Sequence, residues 1–152
     1  MKYQIKKLET DDICLVQQLL ILFKKVFDAI DTDVSELPDP AYLKNILAKD
    51  GFYVLSALAE NRVVGGLTAY VFDMYLKKDK EMYLYDLAVD EDYRRQGVAG
   101  SLINALREHA KKNNVSTIFV EAHIEDVGAI NFYKSMNTEM EEVRHFNIST
   151  TD

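Results

Sequence analysis

Two neighbouring stretches of the chain have residue types and spacing that could do chemistry. The run Tyr83-Leu84-Tyr85-Asp86-Leu87-Ala88-Val89 sets one ionisable carboxylate, Asp86, inside an otherwise apolar segment. Isolated carboxylates are rarely buried without a partner, so Asp86 either lines a cleft or makes a structural ion pair. A few residues on, Arg94-Arg95-Gln96-Gly97-Val98-Ala99-Gly100 places two arginines and several small residues where an amphipathic helix opens. Such a helix start exposes backbone N–H groups that wrap an anion, and the helix dipole favours negative charge there. The segment reads as a phosphate cradle. It matches neither Gly-x-x-x-x-Gly-Lys-Ser/Thr nor Gly-x-Gly-x-x-Gly, which excludes a Walker A loop and a dinucleotide fingerprint.

The elements that must position these residues follow from periodicity. Lys2 to Lys7 reads as a strand, and Asp11 is placed to cap a helix through Leu15, Leu19, Leu20, Phe23 and Phe27, whose rings and aliphatic side chains read as core. Residues 28–40 are acidic and hold both prolines, which makes a loop; Asp39-Pro40 then opens a second helix that ends at Gly51. Phe52 to Ala59 and Arg62 to Phe72 are β-rich and separated by Glu60-Asn61, a hairpin turn. Met82 to Val89 is a central strand, and Val98 to Lys112 a helix stopped by Asn113-Asn114. Val115 to Ala122 reads as a further strand, Asp126 caps a helix through Ile130 and Tyr133, and Glu141 to Ile148 reads as a last strand. The expected fold class is α/β (α+β): one mixed, mostly antiparallel sheet flanked by about four helices, in a single domain spanning 1–152.

Composition narrows the class. Hydrophobic residues make up 48% and charged residues 28% of the 152, the balance of a soluble globular chain. The N-terminus shows no signal-peptide pattern, and with one cysteine, Cys14, read as a buried thiol, a reducing cytoplasm is expected. The net charge of −7 argues against nucleic acid and suits a cationic partner. His109, His123 and His145 have no cysteine or carboxylate spacing that points to a metal.

Arg94, Gly97 and Ala99 fall on the pattern Arg/Gln-x-x-Gly-x-Gly/Ala, and Asp126, Ala129, Phe132 and Tyr133 on Asn-x-x-Ala-x-x-Phe-Tyr. Together they resemble the GNAT superfamily of acyl-CoA-dependent N-acetyltransferases. The run Tyr-Asp-Leu-Ala-Val before Arg-Arg-Gln-Gly, and the closing Glu-Glu-Val-Arg-His-Phe-Asn-Ile, resemble type I aminoglycoside 3-N-acetyltransferases. The resemblance implies acetyl-CoA as co-substrate and no metal. Its pyrophosphate would lie on backbone amides from Arg95 through Gln96, Gly97, Val98 and Ala99 to Gly100, with Ser101 close behind and Arg94 adding positive charge. Leu87, Ala88 and Val89 would splay from the next strand at a bulge and pair with the pantetheine arm, an amide polarising the thioester carbonyl. Asp126, standing where many members have Asn, and Ala129 would also meet the donor.

The resemblance further implies Tyr133 as the acid that protonates the leaving thiolate. Asp86 is the candidate for anchoring the acceptor amine and accepting its proton, with Glu121 second. The acceptor site would draw on Asp33, Asp73, Tyr85, Glu121 and Glu142, among the carboxylates of the 28–40 loop and the Glu141-Glu142 pair. The expected acceptor is an amine, foremost the 3-amino group of an aminoglycoside, which would make the chain an antibiotic-resistance enzyme. A polyamine, a small metabolite or a protein lysine is the alternative on the same chemistry, and a non-catalytic acyl-CoA sensor the alternative of another class. The resemblance also suggests a homodimer.

Overall fold

The computed structural model describes residues 2–151. They form two compact units, Met1–Glu121 and Ala122–Asp152, and each is described by itself.

The first unit is built on a five-stranded sheet in chain order, β1 (Gln4–Lys7), β2 (Phe52–Ala59), β3 (Arg62–Asp73), β4 (Lys80–Val89) and β5 (Thr117–Val120). The first four strands run antiparallel, while β4 and β5 are parallel. The β2–β3 hairpin turns on Glu60 and Asn61, both at positive φ (49° and 62°), the backbone of a type I′ turn. Helices α1 (Ile13–Asp28), α2 (Pro40–Leu47) and α3 (Val98–Lys112) cover the sheet.

Two adjacent glycines on β3 show how the layers close. A Cβ on Gly66 would lie 2.5 Å from Leu19 Cδ1 of α1 and 2.7 Å from the Leu55 carbonyl oxygen. On the opposite face, a Cβ on Gly65 would lie 3.1 Å from Val98 Cγ1 of α3. Side chains alternate along a strand, so α1 and α3 sit on opposite faces. Leu19, Leu55, Leu67, Met82, Leu102 and Leu106 are almost fully buried between these layers.

Several details differ from expectation. Asp12, not Asp11, stands at the N-cap of α1, and its carboxylate accepts from Lys6 Nζ (2.6 Å) and the Glu9 N–H (3.0 Å) rather than from a helix amide. Cys14 is exposed rather than buried. At 100° per residue it points away from Val16, Leu19 and Phe23, the buried stripe of α1. Phe27 is 50% exposed, its ring stacked on Phe23 with centroids 5.3 Å apart. Helix α2 ends at Leu47, and Gly51, at φ +80°, serves the turn into β2 instead.

The second unit holds α4 (Val127–Ser135), capped by Asp126, whose Oδ1 accepts from the Ala129 N–H at 2.9 Å. Asn137 takes the left-handed conformation just past its end (φ 57°). The expected strand over residues 141–148 is absent: the segment has no regular structure and its side chains are exposed. Alternating side chains give a strand only where a neighbour supplies the hydrogen-bond ladder.

Candidate active site

β4 carries the central irregularity. Thr68 of β3 pairs with Asp86, but the next residue, Ala69, pairs with Leu84, so Tyr85 is an extra, bulged residue. Above the bulge, Met82 and Leu84 point to the α3 face and Tyr83 to the α1 face. Below it, Asp86 shares the α1 face with Thr68, where unbroken alternation would have turned it towards α3.

Thr68, 8% exposed, donates its hydroxyl hydrogen to Asp86 Oδ2. One carboxylate oxygen is thus held in place. Burial raises the Asp86 pKa above the ordinary carboxylate range, and the Thr68 hydrogen bond opposes that rise. No ion pair with Asp86 occurs among the described residues, so the ion-pair alternative left open by the sequence is set aside.

Around Asp86 the α1 face is aromatic. Phe52, Tyr70, Tyr83 and Phe119 are cross-strand neighbours on β2, β3, β4 and β5. Phe52 and Tyr70 lie 4.8 Å apart, and Tyr83 stacks on Phe119 at 4.8 Å. Tyr85 stands edge-on to Tyr70 (5.8 Å) and packs against Tyr83 (5.3 Å). The Tyr83 hydroxyl donates to Glu121 Oε2 at 3.1 Å, which fixes that carboxylate beside the end of β5. Burial, then the Asp86 charge, raises the Tyr70 pKa, so these groups share one field. Tyr70 and its neighbour Tyr42 escaped the sequence reading. A tyrosine in an apolar strand looks like core, and only the register shows it facing outward.

The parallel pairing of β4 with β5 stops at Leu84 and Val120, whereas β4 runs on to Val89. From Asp86 to Val89 the strand is laddered on its β3 side alone, leaving its other edge to pair with an extended ligand. This splay leads to the start of α3. Arg95 (φ 57°) and Gly97 (φ 83°) both take left-handed backbone, and no side chain caps the helix. The first amides of α3 therefore face outward as an anion nest. Arg94 Nε donates to the Val89 carbonyl (3.1 Å) and Gln96 Nε2 to that of Asp92 (2.7 Å). Both side chains brace the loop, while Arg95 is exposed. The Ser101 hydroxyl is hydrogen-bonded to that of Tyr3 at 2.9 Å. Val98 is buried, so its backbone alone could serve a ligand.

The chain matches the family model described as "Acetyltransferase (GNAT) family" over residues 18–137. It belongs to the GNAT acetyltransferase family. A solved aminoglycoside acetyltransferase, meta-AAC0020 from an uncultured soil metagenomic sample, in complex with sisomicin, is 35% identical with a TM-score of 0.90, over 98% of this chain and 97% of that one. A second such enzyme from soil, HMB0005, is also 35% identical, with a TM-score of 0.92 over 99% and 100% of the two chains. Among curated proteins, the ribosomal protein bS18-alanine N-acetyltransferase of Escherichia coli K12 is 33% identical over 72 residues, 47% of this chain and 49% of that protein. Human N-acetyltransferase 8 is 29% identical over 105 residues, 69% of this chain and 44% of the relative. The chain thus spans about half the length of these curated relatives.

GNAT acetyltransferases use acetyl-CoA. The splayed edge and the uncapped nest fit a donor with an extended amide-bearing arm and a pyrophosphate. The other expected site residues are spread more widely. Asp33 is exposed, its carboxylate held by the Ser35 N–H (2.8 Å), which lowers its pKa. Asp73 is exposed at the far end of β3, 4.0 Å from Lys80 Nζ. Glu142 is exposed in the second unit, as is His145, whose ring lies 3.1 Å from Asn147 Oδ1. On α4, burial and the nearby Asp126 carboxylate push the Tyr133 hydroxyl up to about 12. No group of three or more metal-ligating side chains occurs among the described residues, and none of their helices is long and apolar enough to cross a membrane.

Proposed function

We propose that the protein transfers acetyl from acetyl-CoA directly to an amine, foremost the 3-amino group of an aminoglycoside. The observation that carries this reading is the half-buried Asp86 on an open aromatic face, on the stretch of strand edge left unpaired by β5. The bound donor supplies an electrophilic acetyl thioester. Leu87, Ala88 and Val89 hold its arm by strand pairing, and an amide of this edge polarises the carbonyl. Amides from Arg95 to Gly100 hold the pyrophosphate.

Asp86 anchors the acceptor nitrogen with its free oxygen. As the new C–N bond forms at the expense of C–S, Asp86 takes the proton the nitrogen gives up. The electron pair of the broken bond leaves on sulfur, and Tyr133 donates a hydrogen bond or proton to it. No acyl-enzyme is required, because a neutral amine is itself a competent nucleophile. Tyr85, next to Asp86, and Glu121, on the Tyr83 hydroxyl, contact a cationic acceptor, while Asp33, Asp73 and Glu142 add to the acidic field. The similar soil enzyme in complex with sisomicin supports this choice of acceptor.

Thiol release from acetyl-CoA tests the proposal, with sisomicin, a 3-N-blocked analogue, spermidine and a lysine peptide as acceptors. Turnover is expected with sisomicin and not with the blocked analogue. Equal rates with both would overturn the regiochemistry. Turnover confined to spermidine or the peptide would move the protein to the other acceptor class. CoA binding with no turnover of any amine would make it a sensor.

A further inference from the structure

Next to the aromatic face lies a cleft of about 300 Å³ that the acetyl-transfer scheme does not use. Tyr42 and Ile46 of α2 wall one side, Phe52 of β2 and Tyr70 and Phe72 of β3 the other, and the charged pair Lys49 and Asp50 also lines it. Three of these rings are unusually open for their size: Tyr42 is 53%, Phe72 47% and Tyr70 40% exposed. Tyr70 belongs to both sites, since it lines the cleft and stands edge-on to Tyr85 on the Asp86 side.

We infer that this tyrosine-walled cleft is a second acceptor subsite, which takes a sugar ring of a multi-ring amino sugar while the reacting amine lies at Asp86. The inference rests on the acceptor class proposed above. Aromatic faces carry negative charge density, so they attract the polarised C–H face of a pyranose and the ammonium groups it bears. Lys49 and Asp50 line the cleft beside these rings and offer a sugar ring a hydrogen-bond donor and an acceptor, and a cationic sugar suits the net charge of −7. The volume is at the lower end for small-molecule pockets, roughly 300–1,000 Å³, which suits one ring of a larger acceptor.

Steady-state kinetics with sisomicin and with 2-deoxystreptamine, the single-ring fragment, test the inference. Wild type should favour sisomicin by at least tenfold in kcat/KM, a fragment rate below detection counting as such a preference. Phe72→Ala and Tyr42→Ala should each raise the sisomicin KM by roughly tenfold, with kcat and the acetyl-CoA KM held within about twofold. Tyr42→Phe, which keeps the ring, should restore the sisomicin KM to within about twofold of wild type. An unchanged sisomicin KM in both alanine variants, or no preference for sisomicin in wild type, would overturn the subsite. Wild type that binds acetyl-CoA yet acetylates neither sugar would instead overturn the acceptor class, and the subsite with it.

Discussion

Asp86→Asn should remove acetyl transfer while leaving the fold intact. Asparagine has nearly the same volume and can still accept the Thr68 hydroxyl hydrogen, so the local packing survives. What disappears is a negative charge and a proton acceptor. A positioned base contributes roughly 10²–10⁴ in rate. The charge also anchors the amine: at about 4 Å and an effective dielectric of about 20 the gross attraction is about 4 kcal/mol. Most of that is offset by desolvation, leaving about 1.4 kcal/mol, or roughly tenfold in KM. The expected loss in kcat/KM is therefore roughly 10³–10⁵, most of it in kcat.

The assay is thiol release with sisomicin from pH 5 to 9. In wild type, log kcat/KM should rise as Asp86 ionises, with an inflection above the ordinary carboxylate range because burial raises its pKa. The Asn enzyme should lack that limb. Thr68→Val removes the hydrogen bond that holds the pKa down, so it should move the limb to higher pH, and Thr68→Ser should restore it. Stability should go the other way from activity. The folded-state pKa of Asp86 lies above its unfolded value, so the native state binds more protons and loses stability as pH rises through that window. The ionised carboxylate is a burden at neutral pH that Asn does not carry, and Tm at pH 7.5 should be equal or higher. An Asn enzyme within tenfold of wild type would refute the base role. An acid limb unmoved by Asn and by Val would refute it equally.

Two other substitutions probe separate layers. Gly66→Ala forces a Cβ against Leu19 and the Leu55 carbonyl, which is backbone and cannot turn aside. Overpacking of this kind costs about 1–3 kcal/mol, or roughly 3–10 °C in Tm for a domain of this size; a melt unchanged within 1 °C would mean that α1 does not press on the sheet. Tyr133→Phe should lower kcat by roughly 10–100-fold with little change in acetyl-CoA KM. With the phenol pushed up to about 12, full proton transfer to a thiolate near 8.5 is uphill by about 5 kcal/mol, so Tyr133 acts chiefly as a hydrogen-bond donor. A basic limb below pH 9 that the Phe enzyme loses would contradict that raised value.

Much of the sheet was legible because its signals are local. Glu60-Asn61 announces a hairpin, Asp39-Pro40 a helix start, and the small residues after Arg95 an uncapped nest. Asp86 stood out because a carboxylate in an apolar strand is a conflict that needs a resolution. What stayed hidden depends on pairing. Nothing in the run from Tyr83 to Val89 says that Tyr85 is an extra residue, so the facing of Asp86 and the exposure of Tyr70 could not be deduced. Cys14 and Phe27 were misplaced for a related reason, since a helix stripe is narrower than its list of apolar residues. Residues 141–148 alternate like a strand, but no ladder partner realises the pattern.

The extra residue at Tyr85 also bears on how such a site can arise and be lost. Substitutions in β4 change what a position carries but not the direction in which it points. Removing Tyr85 would restore unbroken alternation with Leu84 still opposite Ala69 and Asp86 still opposite Thr68, so the acid would keep its face and only the local bend would go. Among descendants of a common scaffold, the carboxylate would then outlast a deletion at Tyr85, while the bend it gives the strand would not.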